Sequence, residues 1–108
     1  MALRQHPALQ GKPLQFSGWA IDAIGVPPTP AGGVFLTIDK RPPVWVLVGE
    51  NRPNVASRFD ARLTQTGFRL ELPAGTLTPG RHTVRIAVVT GDGRAIYQES
   101  PELVFFVE

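Results

Sequence analysis

The residue types that could catalyse hydrolysis are few in this sequence. A serine mechanism needs a hydroxyl, a base and a carboxylate that orients the base, and Ser57, His82 and Asp60 are of these types. The residues around Ser57, however, do not form the glycine-flanked elbow that exposes a nucleophilic serine. We therefore expect a loop serine, a structural histidine and a protein that is not an enzyme.

Residues that bind metals are equally sparse. The chain has no cysteine, and its two histidines, His6 and His82, are far apart in the sequence, so no zinc-ligand pair has a usable spacing. Carboxylates at predicted strand ends could bind calcium, although capping of turns is the ordinary role of aspartate there. These carboxylates are Asp22, Asp39, Glu50 and Asp92. We predict no metal centre and no cofactor.

Carbohydrate binding is the ligand chemistry that the sequence favours most. Sugar rings stack on aromatic faces, while arginine and amide side chains bind hydroxyl groups. The candidate ligand-binding residues are Trp45, Arg52, Asn54 and Tyr97, with Trp19 and Phe35 as further aromatic candidates. Structural roles compete with this function: either tryptophan could lie in the core, and Arg52 could anchor a carbonyl group of a rigid turn.

The charge pattern argues against nucleic-acid and membrane partners. Eleven basic and nine acidic residues give a net charge of +2, and the arginines are scattered along the 108 residues without a basic stripe. No apolar run approaches the roughly 20 residues that a membrane helix needs. We expect no nucleic-acid binding and no membrane span in this segment.

The segment 77–90 is the element around which the others are predicted to assemble. Pro79 and Gly80 predict a turn, because proline presets φ and glycine tolerates positive φ. From His82 to Val88, side chains suited to a core alternate with Thr83, Arg85 and Ala87, which is the period of a half-buried strand. We predict a central strand here.

Short strands account for most of the remaining chain. The 11 prolines and 11 glycines separate apolar runs as turn residues do, and only residues 55–59 favour a helical turn. The predicted strands span residues 14–22, 34–40, 44–49, 66–73, 77–90, 94–98 and 103–107. Gly18, inside the first of them, indicates a bulge or the close approach of another backbone. The predicted core consists of Phe16, Trp19, Leu36, Ile38, Val46, Phe68, Leu70, Leu72, Val84, Ile86, Val88, Ile96 and Phe105.

Two predicted strands are apolar on both faces. Strand 44–49 is either covered on both sides or presents Trp45 and Leu47 as a binding surface. Strand 103–107, if it lies at a sheet edge, would be prone to pairing with another chain. This pattern favours a protein partner or a neighbouring domain.

The run Leu77-x-Pro79-Gly80-x-His82-x-Val84 resembles the L-x-P-G-x-x-Y-x-V corner of fibronectin type III and related immunoglobulin-like sandwiches. The spacing differs by one residue, and a histidine stands near the tyrosine position. In those domains the tyrosine hydroxyl ties the turn to the backbone. The resemblance implies that His82 does so through a ring nitrogen.

A second resemblance concerns residues 18–22, 34–39, 49–55, 66–68 and 77–82. These segments are similar to β-sandwich modules of bacterial envelope-associated proteins, including parts of membrane glycosyltransferases and secreted glycan-acting proteins. The likeness implies an extracytoplasmic accessory domain rather than a catalyst.

We therefore predict an all-β fold, a seven-stranded antiparallel immunoglobulin-like sandwich at residues 14–108 that follows an N-terminal linker at residues 1–13. The expected function is that of a non-catalytic accessory module that mediates structural or protein-protein interactions in an envelope or secreted protein. Carbohydrate binding through surface aromatics is the alternative, so a glycan is the other possible partner.

Overall fold

The computed structural model describes residues 1–5, 12–24, 27–59 and 61–108, and antiparallel strands make up about half of them. The strands are β1 (Ala2–Gln5), β2 (Leu14–Trp19), β3 (Ile21–Asp22), β4 (Thr29–Pro30), β5 (Gly33–Ile38), β6 (Val44–Leu47), β7 (Gly67–Leu72), β8 (Gly80–Val89), β9 (Ile96–Glu99) and β10 (Leu103–Val107). A six-residue helix, α1 (Pro53–Arg58), and a 3-10 turn (Ala61–Leu63) connect β6 to β7. Among the described residues, no helix has the length and apolar character needed to cross a bilayer.

The strands form three sheets. One has the order β1-β2-β7, a second has the order β10-β8-β5-β6 with β9 also paired to β8, and β3 and β4 form a short ribbon. Because β5 occupies one side of β8 along Val84–Val89, both β9 and β10 lie on the other side. They act as one strand interrupted around Pro101, where proline removes a backbone donor.

One buried cluster joins the two larger sheets. Period-two alternation turns Leu14 and Phe16 of β2 inward, and the fully buried ring of Phe16 meets Phe105 of β10 edge-on, with ring centroids 5.2 Å apart. Burial of each such side chain stabilises the fold by roughly 1.5–3 kcal/mol. The cluster comprises Leu14, Phe16, Ala20, Ala31, Val34, Leu36, Ile38, Val46, Phe68, Leu77, Val84, Ile86, Val88 and Phe105.

The all-β prediction is confirmed, but the described residues hold ten strands in three sheets rather than seven strands. The central strand has the predicted alternation, since His82, Val84, Ile86 and Val88 are buried. The helical turn also exists and begins two residues earlier than predicted.

β1 lies in the segment that was predicted to be an unstructured linker. Its four residues pair with β2, from Ala2 opposite Trp19 to Gln5 opposite Phe16. Pairing requires no alternation in the added strand, because β2 supplies the hydrogen-bonding partners. Residues 6–11 lie outside the described part, and the division into a linker and one domain stays a prediction.

The core prediction is wrong at two positions. Trp19 is only half-buried and lies outside the cluster, because the alternation that turns Phe16 inward turns Trp19 outward. Ile96 is 54% exposed, since a register shift between Val88 and Val89 breaks its alternation with β8. Leu70 and Leu72 pack against the cluster but are only partly buried.

Candidate functional site

A cleft of about 580 Å³ lies on the outer face of the three-stranded sheet. On β2, the residues that alternate with the buried ones are Gln15, Ser17 and Trp19, and Arg69 of β7 stands opposite Ser17. The segment 50–54 forms the other wall. The cleft is lined by Ala2, Leu3, Gln15, Ser17, Gly18, Trp19, Glu50, Asn51, Arg52, Pro53, Asn54 and Arg69.

Backbone hydrogen bonds hold the segment 50–54 beside the sheet. Glu50 and Gly67 exchange two backbone bonds, of 2.9 and 2.8 Å, and the Arg52 amide donates to the Thr64 carbonyl. Pro53 then begins α1, a position at which its missing amide hydrogen costs nothing. Two roles were predicted for Arg52, ligand binding and the anchoring of a carbonyl group in a rigid turn. Its backbone amide, and not its guanidinium, makes the bond to a carbonyl.

The cleft is polar and carries more positive than negative charge. The Arg69 Nε and Glu50 Oε1 atoms are 3.5 Å apart, with both side chains about half exposed, so this ion pair is weak. Among the described residues, the Arg52 guanidinium has no hydrogen bond or ion pair. Two arginines therefore face one glutamate along the lining.

Trp19 gives the cleft an aromatic wall. Its ring packs against Phe59 with centroids 5.7 Å apart, and the Arg58 guanidinium carbon lies 5.8 Å from the Phe59 ring centroid. These neighbours fix the indole at the end of β2. Assignment of Trp19 to the core concealed this role, although the alternation of Gln15 and Ser17 with buried residues was the signal that could have found it.

The four predicted ligand-binding residues do not converge on one site. Arg52 and Asn54 both line the cleft. Trp45 belongs to β6 in the other large sheet, and Tyr97 packs against the buried cluster. The structure thus joins two of the four and adds Trp19 as their aromatic neighbour.

Trp45 instead stands on the outer face of the five-stranded sheet. Its ring lies across Gly33, where any Cβ would collide with the indole, and its centroid is 4.9 Å from that of Phe35. The sheet covers one side of the ring, while the side chain remains 44% exposed. Leu47 beside it is 72% exposed. Of the two alternatives for this strand, the exposed surface is the one observed.

The opposite edge of the same sheet is also apolar. Within β10, Phe105 is buried while Val104 and Phe106 project outward, 49% and 65% exposed. Within the part of the chain that the structure describes, the strand pairs with β8 on one side only, so its other side is an open edge there. No protein-family model and no curated protein matches this chain. Its surfaces are accordingly the basis for inferring a function.

His82 joins two loops at one end of the five-stranded sheet. Its Nε2 atom lies 2.6 Å from the Thr78 carbonyl oxygen, and its Nδ1 atom lies 2.7 Å from Oδ2 of Asp39. The Thr83 amide donates to the other carboxylate oxygen of Asp39. The bond to Thr78 is the backbone tie that the resemblance to the tyrosine corner implied.

The protonation of this group follows from its partners. Hydrogen bonds from the His82 ring to Asp39 and to Thr78 raise its pKa, because both acceptors favour a ring that is protonated on both nitrogens. Burial acts to raise the pKa of Asp39, but the bonds from His82 and the Thr83 amide outweigh it and lower that pKa overall. Both shifts favour the charged form of each side chain.

The residues considered for hydrolysis and for calcium have structural partners. The Ser57 hydroxyl donates to the Pro53 carbonyl one helical turn earlier, and Asp60 lies outside the described residues, as does His6. Asp22 accepts from the amides of Ile24 and Gly91, and Asp92 accepts from the Thr90 hydroxyl and the Arg94 amide. Within the described residues, no three metal-ligating side chains come together.

Proposed function

We propose that this chain is a non-catalytic, immunoglobulin-like accessory module that binds a protein partner through the open edge of β10. The strand orders support the immunoglobulin-like part. Immunoglobulin-like domains place strands A, B and E in one sheet and C, F and G in the other. With β1, β2, β5, β7 and β8 as A, B, C, E and F, and β9 with β10 as G, the described sheets follow that order.

The unprotected edge of β10 is the observation that carries the proposed function. Sheet edges are normally protected by charged residues, by proline or by shortness. β7 carries Arg69 and Glu71, β6 is a four-residue strand preceded by Pro42 and Pro43, and β1 has four residues. β10 has five residues, all of them apolar.

The exposed side chains of β10 define the chemistry of the partner. Val104 and Phe106 offer β-branched and aromatic surface to a neighbouring strand, and such cross-strand pairs contribute roughly 0.2–1 kcal/mol each. Glu108 follows the strand, and Glu102 precedes it in a half-exposed ion pair with Arg85 that a partner's basic residue would compete for. A complementary partner is an extended apolar segment with basic residues at its ends, which would add a strand to the sheet.

The envelope or secreted setting belongs to the proposal and is supported by the sequence resemblance alone. The accessory role is supported by the hydrogen-bonding of the residues that hydrolysis would use, because both ring nitrogens of His82 and the hydroxyl of Ser57 are already engaged.

Selection from a display library of random nine-residue peptides tests the function. We expect the folded chain to enrich peptides with alternating β-branched and aromatic residues between basic ends. Binding should be lost in Phe106→Lys, which places a charge on the edge. It should persist in Leu47→Lys, the matched control, because Leu47 is 72% exposed against 65% for Phe106 but belongs to β6.

Hydrogen exchange locates the contact. An enriched peptide should slow amide exchange at residues 103–107 and leave β6 unchanged. Failure to enrich any peptide class, or equal binding by both lysine variants, would contradict the proposal.

A further inference from the structure

We infer that the cleft on the three-stranded sheet binds an acidic saccharide, a sugar chain whose rings carry carboxylate groups. This inference goes beyond the protein-binding function, since the cleft and the β10 edge belong to different sheets and share no residue. Its volume of about 580 Å³ falls within the range of sites that hold small ligands.

Arg52 is the group that selects a negative charge. Its Cγ atom lies 2.9 Å from where a Cβ on Gly67 would be, so the stem packs against backbone that carries no side chain. The guanidinium has no partner among the described residues. A held stem with a free planar head binds a carboxylate through two parallel hydrogen bonds with little loss of side-chain entropy.

Arg69 provides a second cation that a ligand can recruit. The Arg69 Nε atom lies 3.5 Å from Oε1 of Glu50, and the arginine side chain is 57% exposed. A ligand carboxylate would compete with Glu50 for it, and Glu50 would oppose the ligand by like-charge repulsion. Glu50 is thus a competitor of the ligand within the site, and its substitution should strengthen binding.

The rest of the lining suits a sugar better than a small anion. Asn51 and Asn54 each present an amide that can donate and accept, as hydroxyl groups require. The Gln15 Nε2 atom donates to Glu71 at 3.3 Å, so Gln15 contributes its amide oxygen as an acceptor. Trp19, braced by Phe59, offers an aromatic face to the apolar side of a sugar ring. A small anion would use the arginines and leave these groups in water.

Fluorescence of Trp19 provides the measurement. The chain has two tryptophans, so Trp45→Phe leaves Trp19 as the sole indole and serves as the parent for all variants. A tetrasaccharide of galacturonate is the acidic probe, cellotetraose is the neutral probe, and citrate is the anion without a sugar ring. We expect saturable quenching or a shift with the galacturonate probe alone, weakening as salt is added.

Variants separate the roles of the charged groups. Arg52→Met, which keeps an unbranched stem, should weaken binding about 10- to 100-fold, as loss of a charged hydrogen-bond partner does. Arg69→Gln should weaken it severalfold, and Glu50→Gln should strengthen it severalfold. Arg85→Gln, which removes an equally exposed arginine from the opposite sheet, should have no effect.

Each remaining outcome overturns the inference in an identifiable way. Equal binding of cellotetraose would show that the ligand need not be acidic. Equal binding of citrate would show that the ligand need not be a saccharide. No response to any probe at millimolar concentration would show that the cleft is not a saccharide-binding site. Arg69 is exposed, so Arg69→Gln keeps the test decisive if Arg52→Met proves unstable. Peptide binding at β10 is independent of all these results.

Discussion

His82 is a single residue whose two ring nitrogens connect three segments of the chain. Thr78 precedes β8, Asp39 follows β5, and His82 itself lies in β8, so the ring ties the turn before the central strand to the loop after its neighbour. The ring also stacks on Phe105 of β10, with centroids 5.6 Å apart. Asp39 adopts a left-handed backbone conformation, with φ of 53°, which aspartate tolerates better than most residues.

The stability of the fold should therefore depend on pH through this pair. The raised pKa of His82 means that its contribution is complete below the ordinary histidine value of 6.5 and is lost as pH rises through the raised pKa. The lowered pKa of Asp39 means that its contribution is complete above the ordinary value of 3.8 and is lost as pH falls through the lowered pKa. We expect the contribution of the pair to be greatest between about pH 4 and 6.5.

Asp39→Asn tests this dependence, because asparagine also tolerates left-handed φ and keeps an oxygen for the Thr83 amide. We expect the variant to lose about 1–2 kcal/mol of unfolding free energy at pH 5, a range reduced for the partial exposure of Asp39. The loss should be smaller at pH 9. Urea unfolding across pH gives the free energies, and an NMR titration gives the His82 pKa. A His82 ring that titrates at or below 6.5 would contradict the assignment.

At the scale of elements, Gly18 permits β1 to join the sheet. A Cβ on this residue would overlap the Ala2 carbonyl oxygen and lie 2.7 Å from Cζ of Phe68. Of the two alternatives predicted for Gly18, a bulge or the close approach of another backbone, the structure shows the close approach. Because Gly18 has no side chain, both β1 and the Phe68 ring can occupy their observed positions.

Gly18→Ala should accordingly detach β1 from β2 or displace Phe68. We expect amide exchange at residues 2–5 to become much faster and the unfolding free energy to fall by about 1–3 kcal/mol, the cost typical of forced overpacking. Gly49→Ala is the control, since nothing lies within 4 Å of a Cβ there. Unchanged protection of β1 in Gly18→Ala would refute this explanation of the glycine.

Alternation of apolar and polar residues was enough to predict the strands that form the core. It was not enough to predict strands that are defined only by their hydrogen bonds to a neighbouring strand. β8 was predictable because its buried residues recur at every second position over a long run. β1 and β4 were not predictable, since each is short and near prolines. Each is held in an extended conformation by pairing with its partner strand. Ile96 was misplaced because a bulge cannot be read from its residue types.

The candidate site was partly predictable for a related reason. Arg52 and Asn54 stand out in the sequence as polar residues around a proline turn, and both line the cleft. Their neighbours on β2 and β7 come from distant parts of the chain, and only the register that sets Ser17 opposite Arg69 brings them there. Residue type can identify a candidate ligand-binding side chain, but strand pairing determines which other side chains lie beside it.

The whole molecule depends on the contact between its two larger sheets. Phe16 is fully buried at the centre of that contact, against Phe105 from the opposite sheet. Most side chains of the buried cluster belong to the five-stranded sheet, and removal of the Phe16 ring from β2 would leave a cavity against them.

Phe16→Ala should lower the unfolding free energy by about 3–5 kcal/mol. Ile96→Ala, at an exposed apolar position, should change it by less than about 0.5 kcal/mol. Urea unfolding followed separately by Trp19 in Trp45→Phe and by Trp45 in Trp19→Phe would report on each sheet. We expect one shared midpoint, and two separated transitions would mean that the sheets do not unfold together.

The residue type at position 82 decides whether this turn carries a charge. Histidine and tyrosine codons differ by a single first base, so one nucleotide change at this position would exchange the imidazole for a phenol. A phenol stays neutral until about pH 10, so a tyrosine at this position would lack the positive charge that attracts Asp39. A single nucleotide change would thus abolish the loss of stability at rising pH that His82 gives to this turn.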